Sequence, residues 1–232
     1  KLRAKYEGSY EFTSHCDIEV ISPLWNEYGK DFVQHLHGMW GICVYNKKTG
    51  EFFAARDHVG IIPLYYGTGP NGEKYIASEL KAISDVATDI QILEPGCYIT
   101  NDMKPAQWYK PQWHNMDHIP NKEIDYPEFR DQLTEAVRSH LLTDVPFGLL
   151  ISGGVDSSLV AAIAVRLVKE GKVNIKDKHM DAVHSFCVGK QDSPDILAAR
   201  KVAEYLGTVH HEFTYSLDDG LDSIPDCIYH LE

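Results

Sequence analysis

A glycine-rich turn between an apolar run and a helical pattern constrains the fold of this chain more than any other feature. The turn has the sequence SGGVDSS over residues 152–158. The apolar run 147–151 precedes it, and a helical pattern over 159–169 follows it. A buried strand that leads directly into a helix is typical of a parallel sheet with crossover helices. The sequence therefore predicts an α/β unit around this turn.

The segments on either side of the turn continue the same alternation. Apolar residues recur at helical spacing behind Pro127, and a second helical pattern covers residues 195–206. Further strands are predicted over 182–188 and 208–213. Strands that alternate with helices in this way indicate βαβ units.

The first part of the chain, to about residue 110, has a different pattern of apolar segments and turns. Helical patterns there are fewer and cover residues 16–28 and 78–84. Strands are predicted over 41–46, 51–56, 63–66, 74–77 and 97–100. Polar or glycine-containing turns between several of these strands favour hairpins, so this part is predicted to be α+β with antiparallel pairing.

The net charge and the cysteine content limit which binding partners and which structural cross-links this chain can have. The chain carries 22 Lys and Arg against 34 Asp and Glu, a formal charge of −12, which disfavours nonspecific binding to nucleic acid. No apolar run is long enough to span a membrane. The five cysteines are scattered and never spaced CxxC, which argues against a disulfide framework or a structural zinc site. We therefore expect a cytoplasmic protein with neither a nucleic-acid nor a membrane partner.

The glycine-rich turn also carries the strongest chemical signal. At a strand-to-helix turn, backbone N–H groups and the helix dipole favour an anion such as phosphate. Gly153 and Gly154 allow positive φ and close approach, and neighbouring serines add hydroxyl groups. A carboxylate at Asp156 would repel phosphate unless a cation lay between them, which points to Mg²⁺. The Walker A lysine is absent. A plain Gly-Gly turn with a Ser or Asp cap remains the alternative.

The SGGVDSS turn resembles the pyrophosphate-binding loop of the ATP pyrophosphatase superfamily, and further segments narrow the resemblance. These segments are similar to glutamine-hydrolysing asparagine synthetases. Some resemble the ATP-binding part of that family, and others resemble its class II glutaminase part. The ATP-part segments are 140–148, 184–189, 193–195 and 206–212, and the glutaminase-part segments are 17–21, 56–66 and 77–82.

The resemblance implies a fold and a domain organisation. Residues 1–112 would be the C-terminal part of a glutaminase domain of the N-terminal nucleophile hydrolase type, which is α+β. Residues 113–125 would be a linker. Residues 126–232 would be the N-terminal part of a Rossmann-like ATP pyrophosphatase domain with a parallel sheet.

The resemblance also implies an activity, that of a carbon–nitrogen ligase. Asparagine would be made from aspartate and glutamine through β-aspartyl-AMP, with ATP and Mg²⁺ as cofactors and release of AMP and pyrophosphate. The partners would be these small molecules, and a homodimer is left open.

Individual residues acquire roles from the same resemblance. Asp17 would bind glutamine, Met39 would line an ammonia tunnel, and Asp156 would hold the metal. The implied ATP-binding residues are Ile151, Ser152, Gly153, Gly154, Val155, Asp156, Ser157, Ser158 and Val188. From the residues alone, Asp17 and Glu19 are better explained as solvated carboxylates at a helix start, and Arg56 and Asp57 as a structural pair that organises the hairpin.

No residue here corresponds to the family's N-terminal cysteine nucleophile, so no catalytic residue is assigned. We expect a fragment of a longer protein that is inactive alone as a synthetase. Two alternatives stay open: an amidotransferase acting on another carboxylate, and a non-catalytic relative that binds nucleotide. The intact SGGVDSS turn argues against the second.

Overall fold

The computed structural model describes residues 2–115, 117, 122–143, 145–175 and 180–232. The chain forms two compact units, Lys1–Pro120 and Asn121–Leu231. Part of the predicted linker, residues 116 and 118–121, lies outside the described residues.

The first unit is built on two antiparallel sheets, with strand orders β1-β2-β6-β7 and β4-β3-β5. Its strands are β1 (Gly41–Asn46), β2 (Glu51–Arg56), β3 (Tyr65–Thr68), β4 (Lys74–Ala77), β5 (Thr88–Ile92), β6 (Cys97–Thr100) and β7 (Ala106–Gln107). Its α-helices are α1 (Leu2–Tyr6) and α2 (Ile21–Tyr28), with 3₁₀ turns at Asp17–Val20, Gly29–His35, Leu80–Ala82 and Gln112–His114.

Local chemistry explains the β1–β2 hairpin. The strands pair from Gly41 opposite Arg56 to Asn46 opposite Glu51. The Asn46 side-chain oxygen accepts the N–H groups of Lys48 and Thr49 at 3.0 and 3.4 Å, and Gly50 closes the turn with φ +71°. Asn and Gly are the residues that such turns favour.

Strand β2 is buried on both faces. Phe53 and Ala55 join one apolar cluster with Leu24 of α2, whereas Ala54 joins a second cluster with Leu64 and other residues. Because side chains alternate along a strand, the sheet is packed against helices on one face and against apolar residues of the second sheet on the other.

The predicted antiparallel pairing is confirmed, but three details were wrong. The single helix predicted over 16–28 is a 3₁₀ turn followed by α2, and only Leu80–Ala82 of the helix predicted over 78–84 forms, as a 3₁₀ turn. Strands β5 and β7 were not predicted. Strand β5 (Thr88–Ile92) contains several polar residues and is defined by pairing with β3, a contact that the local pattern does not reveal.

The second unit alternates strands and helices as predicted, and it ends in a helix that was not predicted. Its elements are α3 (Tyr126–His140), β8 (Gly148–Leu150), α4 (Val155–Lys169), β9 (His184–Lys190), α5 (Pro194–Leu206), β10 (Val209–Tyr215) and α6 (Leu217–Leu231). The strands form a parallel sheet in the order β10-β9-β8. Right-handed crossovers that proceed in one direction place their helices on the same face of the sheet.

The two faces of this sheet differ accordingly. Leu149, Ile151 and Cys187 lie in the core with apolar side chains of α4 and α5. On the opposite face Leu150 and Val188 are 79% and 69% exposed. No helix among the described residues is long and apolar enough to cross a membrane.

Candidate functional site

The loop between β8 and α4 uses its two glycines differently. Gly153 has φ +80°, in the region that favours glycine, as predicted. Gly154 has φ −72° and ψ 163°, so positive φ was a wrong expectation for this residue, which is the N-cap of α4. Helix α4 also begins at Val155, earlier than the helical pattern over 159–169 indicated.

Four amide groups of this loop have no hydrogen-bond acceptor within the described part of the protein. They are the N–H groups of Gly153, Val155, Asp156 and Ser157, while Ser158 N–H already donates to the Gly154 carbonyl at 3.1 Å. The first N–H groups of any helix lack partners within the helix. With the helix dipole they form a region of positive potential that is accessible to solvent and suits an anion.

The serine hydroxyls hold the loop in shape. Ser157 Oγ accepts the Ser152 N–H at 3.2 Å and lies 3.0 Å from Ser152 Oγ. Ser158 Oγ donates to the Gly154 carbonyl at 2.7 Å. All three serines therefore bridge parts of the loop itself, which fixes the directions of the free N–H groups.

Asp156 is the acidic residue of this loop. It is exposed in the first turn of α4. Among the described residues it belongs to no group of three or more His, Cys, Asp or Glu side chains that could hold a metal ion. Phosphate oxygens and water would therefore have to complete the coordination of a Mg²⁺ ion bound there, which is the usual arrangement for this metal.

Ile151 directly follows β8 and Val188 lies near the end of β9, and the two side chains differ in exposure. The Ile151 side chain is 2% exposed and packs in the core, and its N–H donates to the Phe186 carbonyl at 2.9 Å. Its side chain is therefore inaccessible, which leaves only backbone atoms for contact with a ligand. Val188 is 69% exposed on the open face and pairs with Phe213.

A buried polar network, which the sequence patterns did not reveal, lies on the face of the sheet that packs against α4 and α5. His210 Nδ1 lies 2.8 Å from the Ser185 hydroxyl, and His210 Nε2 lies 3.4 Å from Cys187 Sγ. Burial raises the pKa of the Cys187 thiol, which opposes nucleophilic reactivity. His211 lies instead beside His184, with Nε2 2.8 Å from the His184 Nδ1 atom. Adjacent histidines on a strand point to opposite faces, so they do not form one site.

In the first unit, Asp17 is exposed and begins the 3₁₀ turn Asp17–Val20. The same turn is held by Glu19, whose carboxylate accepts hydrogen bonds from Thr13 and Ser14. The backbone N–H donors lie at 2.6 and 2.9 Å and the hydroxyl donors at 3.0 and 2.7 Å. These bonds, the Thr13 N–H foremost, lower the pKa of Glu19 to about 2. Glu19 is thus more than a solvated carboxylate.

Met39 lies in the segment just before β1 and is 53% exposed. Gly38, its neighbour, has φ +120°. The next residue, Trp40, donates its N–H to the Asp57 carboxylate at 3.3 Å, which fixes one end of this segment.

Arg56 and Asp57 do not pair with each other as expected from the sequence. Arg56 donates to the carbonyl groups of Ile62, Leu93 and Gly60, at 2.8, 2.8 and 2.6 Å. The Asp57 carboxylate is 0% exposed and accepts backbone N–H groups. Its donors are Trp40, Val59, Gly60, Ile61 and Ile62, at 2.7–3.3 Å. Both side chains are structural, but each binds backbone.

Two protein families match the chain, one in each part. Residues 1–123 match the glutamine amidotransferase domain family. Residues 128–232 match the asparagine synthase family.

Known proteins are similar along nearly the whole chain. Asparagine synthetase [glutamine-hydrolyzing] of Asparagus officinalis is 43% identical over 96% of this chain and 38% of its own length. Asparagine synthetase B of Escherichia coli (strain K12) is 40% identical over 100% of this chain and 42% of its own length. The chain thus spans about two fifths of the length of these relatives. The resemblance that the motifs indicated is confirmed.

A solved glutamine phosphoribosylpyrophosphate amidotransferase of B. subtilis, complexed with ADP and GMP, is also similar. It is 23% identical, with a TM-score of 0.41, over 91% of this chain and 42% of that one. A TM-score of this size is too low to establish a shared fold.

Proposed function

Because the chain belongs to the glutamine amidotransferase domain family, we propose that it serves the glutamine-dependent synthesis of asparagine from aspartate, driven by ATP. The ligase assignment is supported by the asparagine synthase match over residues 128–232 and by the named relatives. The observation that carries the proposal is the set of four free N–H groups at Gly153 and Val155–Ser157, in the loop that resembles a pyrophosphate-binding loop.

The β- and γ-phosphates of ATP would bind at the SGGVDSS loop. In the proposed reaction the aspartate β-carboxylate attacks the α-phosphorus, which forms β-aspartyl-AMP and expels pyrophosphate. Negative charge then accumulates on the leaving pyrophosphate. The four N–H groups and the N-terminus of α4 are already oriented, so they would stabilise that charge with little reorganisation. Ammonia from glutamine would displace AMP and give asparagine.

The residues of the loop fit a Mg²⁺ ion between phosphate and protein. Asp156 offers a carboxylate beside N–H groups that favour phosphate, and a hard cation is compatible with both. When bound, Mg²⁺ would neutralise part of the phosphate charge. The loop serines would keep the N–H groups aimed at the phosphates. The backbone of Ile151 and the exposed Val188 would lie toward the adenosine, outside the carboxyl ends of the strands.

In the first unit, we propose Asp17 as the residue that binds the glutamine amino group, because an exposed carboxylate can form a charge-assisted bond with an ammonium group. Met39 is proposed to line the ammonia path. We also propose domain boundaries at 1–112, 113–125 and 126–232, supported by the compact units and by the family matches over 1–123 and 128–232. A cytoplasmic location is part of the same proposal.

Binding of pyrophosphate tests this function directly. Titration calorimetry of the protein with pyrophosphate, with and without Mg²⁺, should show binding that requires the metal. Asp156→Asn should weaken the binding at least about tenfold, because a charge-assisted contact contributes roughly 1.5–3 kcal/mol.

The matched control is Asp218→Asn, which removes an acidic residue from the first turn of another helix of the same unit, α6. It should bind Mg-pyrophosphate like the unaltered protein. Metal-independent binding, or equal effects of the two substitutions, would contradict the metal role of Asp156. No binding at all would contradict the ATP site.

A further inference from the structure

Helix α5 packs directly against the backbone of the candidate phosphate loop. A Cβ atom on Gly153 would lie 2.5 Å from the Ala198 Cβ atom and 2.8 Å from the Ala199 nitrogen. Both distances are below any ordinary contact, so the bare Gly153 backbone already touches this part of α5. Ala198 is half-buried and Ala199 is 0% exposed.

The same helix also packs against the carboxyl-terminal part of β9. A Cβ atom on Gly189 would meet the Ile196 side chain and the Ser193 hydroxyl, each at 3.3 Å. Gly189 directly follows Val188, the residue proposed to face the adenosine. The first two turns of α5 therefore contact both strand ends that carry the proposed nucleotide site.

Helix α5 is itself held firmly in place. Ser193 caps its first turn by accepting the Ile196 N–H at 3.3 Å, and Ile196 is 2% exposed. Arg200 forms two hydrogen bonds with the Glu212 carboxylate of β10, at 2.7 and 2.8 Å. A larger side chain at position 198 would therefore displace the loop, because the helix is tied to the sheet beneath it.

We propose that Ala198 is a positioning residue for the phosphate-binding loop: only a side chain no larger than its methyl group lets Gly153 lie against α5, and this close approach sets the direction of the free loop N–H groups. The inference rests on the proposed function of the loop. Well-packed sites respond to added methyl groups by shifts of side chains and backbone. A shift of the loop would misalign the N–H groups with the phosphate oxygens before it unfolded the unit.

A size series at position 198 tests the proposal. Ala198→Gly, Ala198→Ser and Ala198→Val are titrated with Mg-pyrophosphate, and their melting temperatures are recorded. Binding should be retained in the glycine variant, weaken by about twofold to threefold in the serine variant, and weaken by about tenfold in the valine variant, because each added group shifts the loop further from α5. The glycine and serine variants preserve the test if the valine variant does not fold.

The matched series is Ala136→Gly, Ala136→Ser and Ala136→Val, on the exposed face of α3 in the same unit. These changes alter helix propensity equally but leave the loop untouched, so their binding constants should match that of the unaltered protein. A flat series at position 198, or parallel series at both positions, overturns the positioning role while the phosphate site stands. Failure of the unaltered protein to bind Mg-pyrophosphate overturns both.

Discussion

The loop after β2 and the loop after β8 each contain several neighbouring backbone N–H groups. The two loops differ in whether the protein itself supplies an acceptor for these groups. In the first unit, the N–H groups of residues 59–62 converge on the Asp57 carboxylate, which the chain itself supplies. In the second unit, the N–H groups of Gly153 and residues 155–157 have no acceptor among the described residues. The N–H groups of the first loop are thus hydrogen-bonded to a carboxylate of the protein, whereas those of the second loop are available to an external acceptor.

The two loops therefore differ in the position of one carboxylate. Asp57 is buried and its oxygens face its own loop, so its negative charge completes the structure. Burial acts to raise the pKa of Asp57, but the N–H donors, led by Ile61 and Gly60, outweigh it and the pKa is lowered. Asp156 is exposed, which leaves the N–H groups to an external anion.

The largest expected effect comes from removing the Asp57 carboxylate from the loop after β2. Asp57→Ala should lower the free energy of unfolding by about 3–5 kcal/mol, because several buried N–H groups lose their acceptor together. Urea denaturation measures the loss. Asp102→Ala, in an exposed turn where the carboxylate accepts bonds from Lys104 and Thr100, is the control and should lose less than about 1 kcal/mol. Equal losses would show that the Asp57 loop is not held by its carboxylate.

A smaller but sharply local effect is expected from the loop after β8. Gly153→Ala should cost about 2–4 kcal/mol of unfolding free energy, from strain at positive φ and overlap with Ala198. Gly154→Ala should be nearly neutral, because φ is −72° and the nearest atom, Ser152 Oγ, lies at 3.4 Å. Thermal unfolding of the two variants provides the comparison. Similar losses at both positions would contradict the close approach of Gly153 to α5.

Amide hydrogen exchange compares the two loops in one sample. Without ligand, the amides of residues 59–62 should exchange slowly and those of Gly153 and residues 155–157 quickly, because only the first set is hydrogen-bonded. Saturating Mg-pyrophosphate should slow the second set at least about tenfold and leave the first unchanged. Slow exchange of the second set without ligand would indicate that the chain already provides an acceptor.

The smallest effect concerns Glu19, an exterior carboxylate that also accepts backbone N–H groups. Its pKa falls from 4.5 to about 2 on folding, so its contribution to stability is complete above pH 4.5 and is lost as the pH falls toward 2. The stability difference between the unaltered protein and Glu19→Gln should therefore shrink over that range. Denaturation at several pH values measures it, with the exposed Glu7→Gln as control. If the stability difference between the unaltered protein and Glu19→Gln did not depend on pH, the charged Glu19 carboxylate would not be what stabilises the Asp17–Val20 turn.

Much of the second unit could be predicted because its signals are local. The strand patterns that became β8, β9 and β10, and the helical pattern that became α5, are contiguous in sequence. Pro194 at the first position of α5 and Gly207 after its last residue also mark its ends directly. The loop between β8 and α4 followed from the same signals together with its glycines.

The features that could not be predicted depend on contacts between distant residues. Strand β5 exists because it pairs with β3, and the Asp57 carboxylate reaches Trp40, which lies 17 residues earlier. The contact between Gly153 and Ala198 likewise joins a loop and a helix that are far apart in sequence. The adjacent alanines of α5 were the available signal, but alanine is common on any buried helix face.

The sequence by itself determined the alternation of strands and helices in the second unit as far as β10, the division into an α+β and an α/β part, and the resemblance to asparagine synthetases. These follow from periodicity, turn residues and short motifs, which act over a few neighbouring residues. Only the tertiary structure decided which loop N–H groups have a hydrogen-bond acceptor among the described residues and which do not. That outcome depends on where packing places carboxylates and side chains from other segments, because a hydrogen bond requires atoms within about 3 Å of each other.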